Sequence, residues 1–119
     1  MMPNKILIVD DEENIRKLYT AELKAEGYEV SSVDSGEAAL DWVAKEAPDL
    51  VVLDIKMAER DGLDILGSIK RDNRELPVVL NSAYTIYKDD FNSWLADAYV
   101  VKSSDLNELK TKIREILSI

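Results

Sequence analysis

The 119-residue chain contains no cysteine and no histidine. Without cysteine there is neither a disulfide framework nor a thiolate metal centre. Without histidine, the usual general base and the usual transition-metal ligand are both missing. A basic surplus is lacking too: 15 Lys and Arg face 24 Asp and Glu, giving a formal charge of −9. That balance argues against nonspecific binding to nucleic acid or an anionic membrane. No apolar run approaches the roughly 20 residues that a membrane span needs. "MMPNK" leads into the first apolar run with neither a signal-peptide n-region nor a cleavage site. The expectation is a soluble cytoplasmic protein, with residues 1–119 forming one domain. Its 46% hydrophobic content is enough for a real core.

Short apolar runs alternate with helical patterns. "KILIV" (5–9), "LVVL" (50–53), "PVVL" (77–80) and "AYVV" (98–101) are continuous and rich in β-branched residues, as strands buried on both faces should be. "YEVSSV" (28–33) alternates more, which suits an edge strand. Helical stripes lie between the strands. Ile15, Leu18, Tyr19 and Leu23 form the first, closed by Gly27. Ala39, Leu40 and Val43 form the second, with Ser35 as N-cap and Pro48 as terminator. Leu63, Leu66 and Ile69 mark a third. Leu106, Leu109, Ile113, Ile116 and Leu117 mark the last, with Ser104 or Asp105 available as cap. Phe91, Trp94 and Leu95 suggest a short helix inside 84–95, although "KDDFNS" is a poor helix former. The order is (βα) five times, so the expected fold is α/β. It would be a doubly wound, five-stranded parallel sheet with right-handed crossovers.

In such a sheet, function gathers at the carboxyl ends of the strands. There "KILIVDDEEN" (5–14) runs a core strand into four consecutive acids, Asp10 to Glu13. Two carboxylates about 4 Å apart repel by roughly 4 kcal/mol at an effective dielectric near 20, so something must offset the charge. Asp54 ends the third strand, Asn81 and Ser82 follow the fourth, and Lys102 ends the fifth. Singly, each is an ordinary cap, turn or surface residue. Together at one sheet edge, three carboxylates make a hard, oxygen-only site suited to Mg²⁺, with a lysine beside it.

These residues resemble the receiver domains of two-component response regulators. The resemblance covers essentially the whole chain. It rests on "LIVDDE" (7–12), "DLVVLDIKM" (49–57), "DG" (61–62), "LNSAY" (80–84) and "AYVVKS" (98–103). Small single-domain receivers of the chemotaxis and sporulation-phosphorelay kind are the most similar in feel. The resemblance implies a flavodoxin-like strand order 2-1-3-4-5. It implies Asp54 as the phosphoacceptor, with Asp10, Asp11, Asp54 and the backbone carbonyl of Lys56 around Mg²⁺. Ser82 and Lys102 would stabilise the phosphoryl group, and Ser82 and Tyr99 would form the switch. The implied partners are a sensor histidine kinase or histidine phosphotransfer protein upstream and a downstream protein or effector domain. Direct nucleic-acid or membrane binding by this domain is not implied.

Three departures from the family pattern stand out. Ser103 follows Lys102 where proline is usual, and a cis bond there costs about 3–4 kcal/mol without proline, so the loop is expected to be trans and to shift Lys102. Ala58 and Arg60 replace the proline and apolar residue of the loop after the third strand. Leu95 stands where glycine commonly precedes the fifth strand. Lys56 and Tyr84 flank the site and should tune its rates. Competing readings fit less well. A degenerate receiver that docks partners without being phosphorylated is opposed by the full set of site residues. A haloacid-dehalogenase-like phosphatase needs an Asp at position 12, which is Glu. A flavin carrier needs a Ser-, Thr- and Gly-rich loop where "DDEEN" would repel a phosphate.

Overall fold

The apolar runs become strands whose alternation decides what each face of the sheet meets. The structure, a computed structural model, describes residues 3–57, 61–83 and 95–118. Five strands, β1 (Lys5–Val9), β2 (Glu29–Val33), β3 (Leu50–Leu53), β4 (Val78–Ser82) and β5 (Ala98–Val101), pair in parallel in the order β2-β1-β3-β4-β5. Between and after them come α1 (Glu13–Ala25), α2 (Gly36–Glu46), α3 (Gly62–Asp72) and α4 (Asn107–Leu117). The α/β, doubly wound architecture and its strand order are therefore as expected. The helix anticipated within 84–95 falls almost wholly outside the described residues, as do Ala58, Arg60, Tyr84, Phe91 and Trp94.

Odd and even positions along each strand feed two separate cores. Ile6, Ile8, Leu50, Val52, Val79 and Val100 pack with Tyr19 and Leu23 of α1 and with Leu109 and Ile113 of α4. Leu7, Val9, Val51, Leu53, Val78 and Leu80 pack instead with Ala39 and Val43 of α2 and with Ile65, Leu66 and Ile69 of α3. Two ion pairs link α1 to α4 at its solvent edge, Lys110–Glu22 at 2.8 Å and Arg114–Glu26 at 3.2 Å. At the opposite end of the sheet, Lys70 closes α3 onto the loop ahead of β4. Its Nζ donates to the Leu76 carbonyl at 2.8 Å and to Asp97 Oδ2 at 2.9 Å.

Two expectations need correcting. Leu18 does not join the buried stripe of α1: it is 42% exposed, and the inward side is carried by Tyr19 and Leu23. β4 does not stop at Leu80. Asn81 and Ser82 continue the ladder opposite Val100 and Val101, so two polar residues read as a post-strand loop are strand residues.

Helix ends follow local chemistry. Ser35 Oγ accepts from the Ala38 amide at 3.2 Å, and Asp61 Oδ1 accepts from the Leu63 amide at 2.8 Å. At the start of α4 neither Ser104 nor Asp105 is the cap: Leu106 holds that position without a side-chain cap bond, because the helix starts one residue later, and Asp105 before it accepts from Asn107 N at 2.9 Å. Gly27, with φ 99°, lets the chain leave α1 in a conformation that L side chains rarely adopt. Gly62 has a different reason: a Cβ there would overlap the Asp54 carbonyl oxygen and sit 2.7 Å from Ile55 Cα. The absence of a side chain thus lets α3 start directly against the Asp54 loop.

Ala47 ends α2 in the left-handed region, with φ 48° and ψ 67°. Its Cβ makes that conformation costly, and glycine would not carry the penalty. Ala47→Gly is accordingly expected to stabilise the protein by about 0.5–1 kcal/mol, a rise of a few degrees in Tm. Thermal unfolding checks it, and an unchanged or lower Tm would show that the left-handed cap is not held in solution.

Candidate functional site

The site is the place where an apolar row of the sheet turns polar. Ile8, Val52, Val79 and Ala98 stand in register across four strands. Two residues further along, the same register gives Asp10, Asp54, Asn81 and Val100, all on the side that α1 and α4 cover. The backbone carries this continuation, because Asp54 N donates to Val9 O at 3.0 Å and Asp10 N to Val33 O at 3.2 Å. Strand alternation alone therefore brings Asp10 and Asp54 to one level on one face. Both are almost completely buried, at 2% and 4% exposure.

Lys102 leaves β5 on that face and reaches back over the row. Its Nζ lies 2.8 Å from Asp10 Oδ2 and 3.4 Å from Asp54 Oδ2. The Lys102–Ser103 peptide is trans, as Ser103 leads one to expect. The expected displacement of Lys102 does not follow: the amide of Lys102 is held by the Ser82 carbonyl at 2.7 Å, and the side chain still spans both carboxylates. Ser103 has found another task, its Oγ accepting from the Asp105 amide at 3.1 Å.

One lysine cannot balance the buried acids. Burial, and after it the charge of Asp10, push the Asp54 carboxyl up from 3.8 to about 6, while Lys102 pulls the other way and loses. The geometry says why: the ammonium is closer to Asp10 than to Asp54. For Lys102, burial works to lower the pKa, but the hydrogen bond with Asp10 and the charges of Asp54, Asp10 and Glu12 outweigh it and raise it. The lysine stays charged.

Asp10 is fixed from several directions. Its Oδ1 accepts from Glu12 N at 2.9 Å, and its carbonyl accepts from Arg16 Nη1 at 2.8 Å. Carboxylate oxygens of Asp10, Asp11 and Glu12 come within 4.8 Å of one another, with Asp11 and Glu12 exposed. This donor set is oxygen only, and it suits a hard divalent cation such as Mg²⁺ rather than a soft metal. Glu12 is the addition to the predicted set, which named Asp10, Asp11, Asp54 and the Lys56 carbonyl. Lys56 follows β3 at the same edge, with an exposed side chain.

Ser82 and Tyr99 take the other face. Tyr99 is half-buried against the core under α2 and α3, in register with Leu80, and Ser82 is the next residue of β4 with the same parity as Leu80. Ser82 is fully buried. By strand parity Ser82 and Tyr99 belong to the same side of β4 and β5, with Ser82 on the last described rung, at the carboxyl edge where Asp54 and Lys102 also stand. The residues whose part the sequence did not reveal are Tyr19 and Asn81. The Tyr19 hydroxyl donates to Asn81 Oδ1 at 2.7 Å, and Asn81 Nδ2 donates to the Val100 carbonyl at 3.0 Å. A polar residue in register with Asp54 was the available signal.

A buried acidic cluster with one lysine, at the carboxyl edge of a parallel sheet ordered 2-1-3-4-5, defines a class of signalling fold. The chain belongs to the response regulator receiver domain family, which matches residues 6–114. Among solved structures it is similar to the response regulator protein TrrA of Thermotoga maritima in complex with Mg(2+)-BeF. That similarity has a TM-score of 0.94 and 44% identity, over 96% of this chain and 99% of that one. It is 35% identical to sporulation initiation phosphotransferase F of Bacillus subtilis, over 100% of this chain and 98% of the relative. It is also 34% identical to regulatory protein AtoC of Escherichia coli, of whose length it spans 26%. Against a probable transcriptional regulator (ycf27) of Porphyridium aerugineum it spans 49%. The chain therefore covers half or less of the length of these larger relatives. Among the described residues no helix is long and apolar enough to cross a membrane.

The Asp54 carboxyl generates a stability prediction for the metal-free protein. Its folded value lies above its ordinary one, so the folded state binds the extra proton between about pH 4 and 6. Stability is then lost as pH rises through that window, and the penalty is complete at pH 7. Asp54→Asn removes the charge and is expected to raise Tm at pH 7 without divalent cations, the gain shrinking towards pH 4. Unfolding at both pH values reads this directly, and a variant less stable than the parent at pH 7 contradicts it.

Proposed function

We propose that this chain is the phosphoacceptor switch of a two-component or phosphorelay system, with Asp54 as the residue phosphorylated. The observation that carries the reading is the buried Asp10–Lys102–Asp54 cluster, at the sheet edge of a chain that belongs to the receiver family. Asp10, Asp11, Asp54 and the Lys56 carbonyl are the proposed Mg²⁺ ligands, with Glu12 close enough to act from outside. When bound, Mg²⁺ supplies the positive charge that lets a phosphoryl dianion approach these carboxylates.

The chain's own groups divide the remaining work. At pH 7, above a value of about 6, Asp54 is mainly ionised and can act as nucleophile. Its oxygen forms the new P–O bond as the donor's P–N or P–O bond breaks in line, with the leaving group departing on the donor's side. Lys102 already stands 3.4 Å from Asp54, placed to pair with a phosphoryl oxygen. Ser82 supplies the hydroxyl that turns to the same group, and Tyr99, on the same face, follows it as the two-state element read by a partner. Such self-catalysed phosphorylation and slow hydrolysis make the chain a signalling protein, not a metabolic enzyme.

The upstream partner we propose is a sensor histidine kinase or a histidine phosphotransfer protein. TrrA, the 44% identical relative, is also solved in complex with histidine kinase ThkA. Residues 1–119 would form one receiver domain, a reading supported by the family match over residues 6–114. Downstream the switch would act on another protein or effector domain, in the cytoplasm, without touching nucleic acid or membrane itself.

Intact-mass measurement after incubation with acetyl phosphate tests this reading. The parent is expected to gain one phosphoryl group only when Mg²⁺ is present, and Asp54→Asn none. Lys102→Ala should fold and bind Mg²⁺, yet gain the group at least roughly tenfold more slowly. A folded parent that gains nothing, with Mg²⁺ and several phosphodonors including a phosphohistidine protein, would sink the proposal.

A further inference from the structure

The chemistry proposed above uses Asp10, Asp54, Lys102 and Ser82, and leaves unexplained a buried polar pair directly beneath them. Asn81 is 2% exposed and Tyr19 1% exposed, in a core whose other buried apolar members are aliphatic. A buried carboxamide is expensive unless its donors and acceptors are met, and apolar residues would fill the space without that demand. The pair therefore calls for a reason beyond packing.

Its connections supply one. Asn81 stands in the row of Asp10 and Asp54, between Asp54 and β5. Its Nδ2 donates to the Val100 carbonyl at 3.0 Å, two residues before Lys102. One step on, the Lys102 amide donates to the Ser82 carbonyl at 2.7 Å, and there the described pairing of β4 with β5 ends. The last turn of backbone that aims Lys102 is thus pinned by one side-chain bond and one backbone bond, both to consecutive residues of β4. Tyr19 sets the orientation of the carboxamide. Its hydroxyl donates to Oδ1 at 2.7 Å, which leaves Nδ2, the end that can donate, towards Val100. Burial keeps the Tyr19 phenol above its usual range, so it remains a protonated donor.

We infer that Tyr19 and Asn81 are positioning residues for Lys102: the Tyr19–Asn81–Val100 chain ties α1 to the end of β5 and holds the ammonium over Asp10 and Asp54. The part of this that concerns phosphoryl transfer rests on the function proposed above. The part that concerns where Lys102 sits does not.

The test uses Tyr19→Phe/Asn81→Leu, which removes the two hydrogen-bonded side-chain groups together, so neither is left facing an unpaired side chain, and thermal unfolding checks that the variant folds. Tyr19→Phe alone provides a second variant that keeps the carboxamide. Two quantities are read in each folded variant. The first is the ¹H–¹⁵N signal of the Lys102 ammonium in the metal-free protein, which a double ion pair shields from water exchange. The second is the rate of phosphorylation by acetyl phosphate and Mg²⁺. With thermal stability near that of the parent, the double variant is expected to lose the shielded signal and to react roughly tenfold more slowly, and Tyr19→Phe to slow by about two- to threefold. Rates within twofold of the parent overturn the part that concerns phosphoryl transfer, and an unchanged Lys102 signal overturns the part that concerns where the lysine sits. A slow variant with that unchanged signal overturns both, since the effect would then bypass the lysine. If the parent itself is never phosphorylated, the proposed function fails, while the ammonium signal still decides whether the pair positions Lys102.

Discussion

A single ammonium shared by two buried carboxylates governs the molecule. Lys102 lies 2.8 Å from Asp10 and 3.4 Å from Asp54, and its one positive charge answers two negative ones. Removing charges from water is costly, and an ion pair compensates only when each charge is matched and hydrogen-bonded. Here the match is unequal. Asp10 has the nearer contact, the Glu12 amide on its other oxygen and a mostly satisfied environment. Asp54 takes the remainder, and its carboxyl rises to about 6. The group proposed to accept the phosphoryl is thus the one whose charge the resting protein compensates least.

The sheet makes this arrangement nearly unavoidable. Parallel register places Ile8, Val52, Val79 and Ala98 side by side in the core, and the period of two carries the next members of the row to the carboxyl edge on the same face. A slip of one residue in β3 would put Ile55 at the site and Asp54 among the aliphatic side chains of the opposite core. The apolar interior of β3 would suit either core, so what opposes that slip is the acids that bracket it, exposed Asp49 and the edge residue Asp54. Gly62 tightens the same region, its bare Cα admitting α3 against the carbonyl of Asp54. Stability of the core and placement of the chemistry are consequently set by one register.

Much of this could be read from the chain. The strands at 5–9, 50–53 and 98–101 have no alternative fate, being too short for helices and too apolar for loops. Once their order is fixed, Asp10, Asp54 and Lys102 must emerge together. Other features depended on three-dimensional context. Leu18 fits a helical stripe on paper, but Tyr19 and Leu23 already fill the space between α1 and the sheet, and Leu18 turns outward. Asn81 and Ser82 look like loop residues because strands rarely end in buried polar groups, and only their pairing with Val100 and Val101 shows otherwise. The serine after Lys102 suggested a displaced lysine. The backbone bond from Lys102 to Ser82, a long-range contact invisible to local reasoning, holds it in place.

The charge that Lys102 leaves uncompensated at Asp54 can be watched directly. The ¹³C shift of the Asp54 carboxyl should be followed against pH, first without divalent cations and then with Mg²⁺. A midpoint of about 6 is expected in the metal-free protein, moving well into or below the ordinary carboxylate range when Mg²⁺ is added. A midpoint near 3.8 that does not respond to Mg²⁺ would contradict this expectation, showing an Asp54 already neutralised by Lys102 and a site with no unmet charge for a cation to fill.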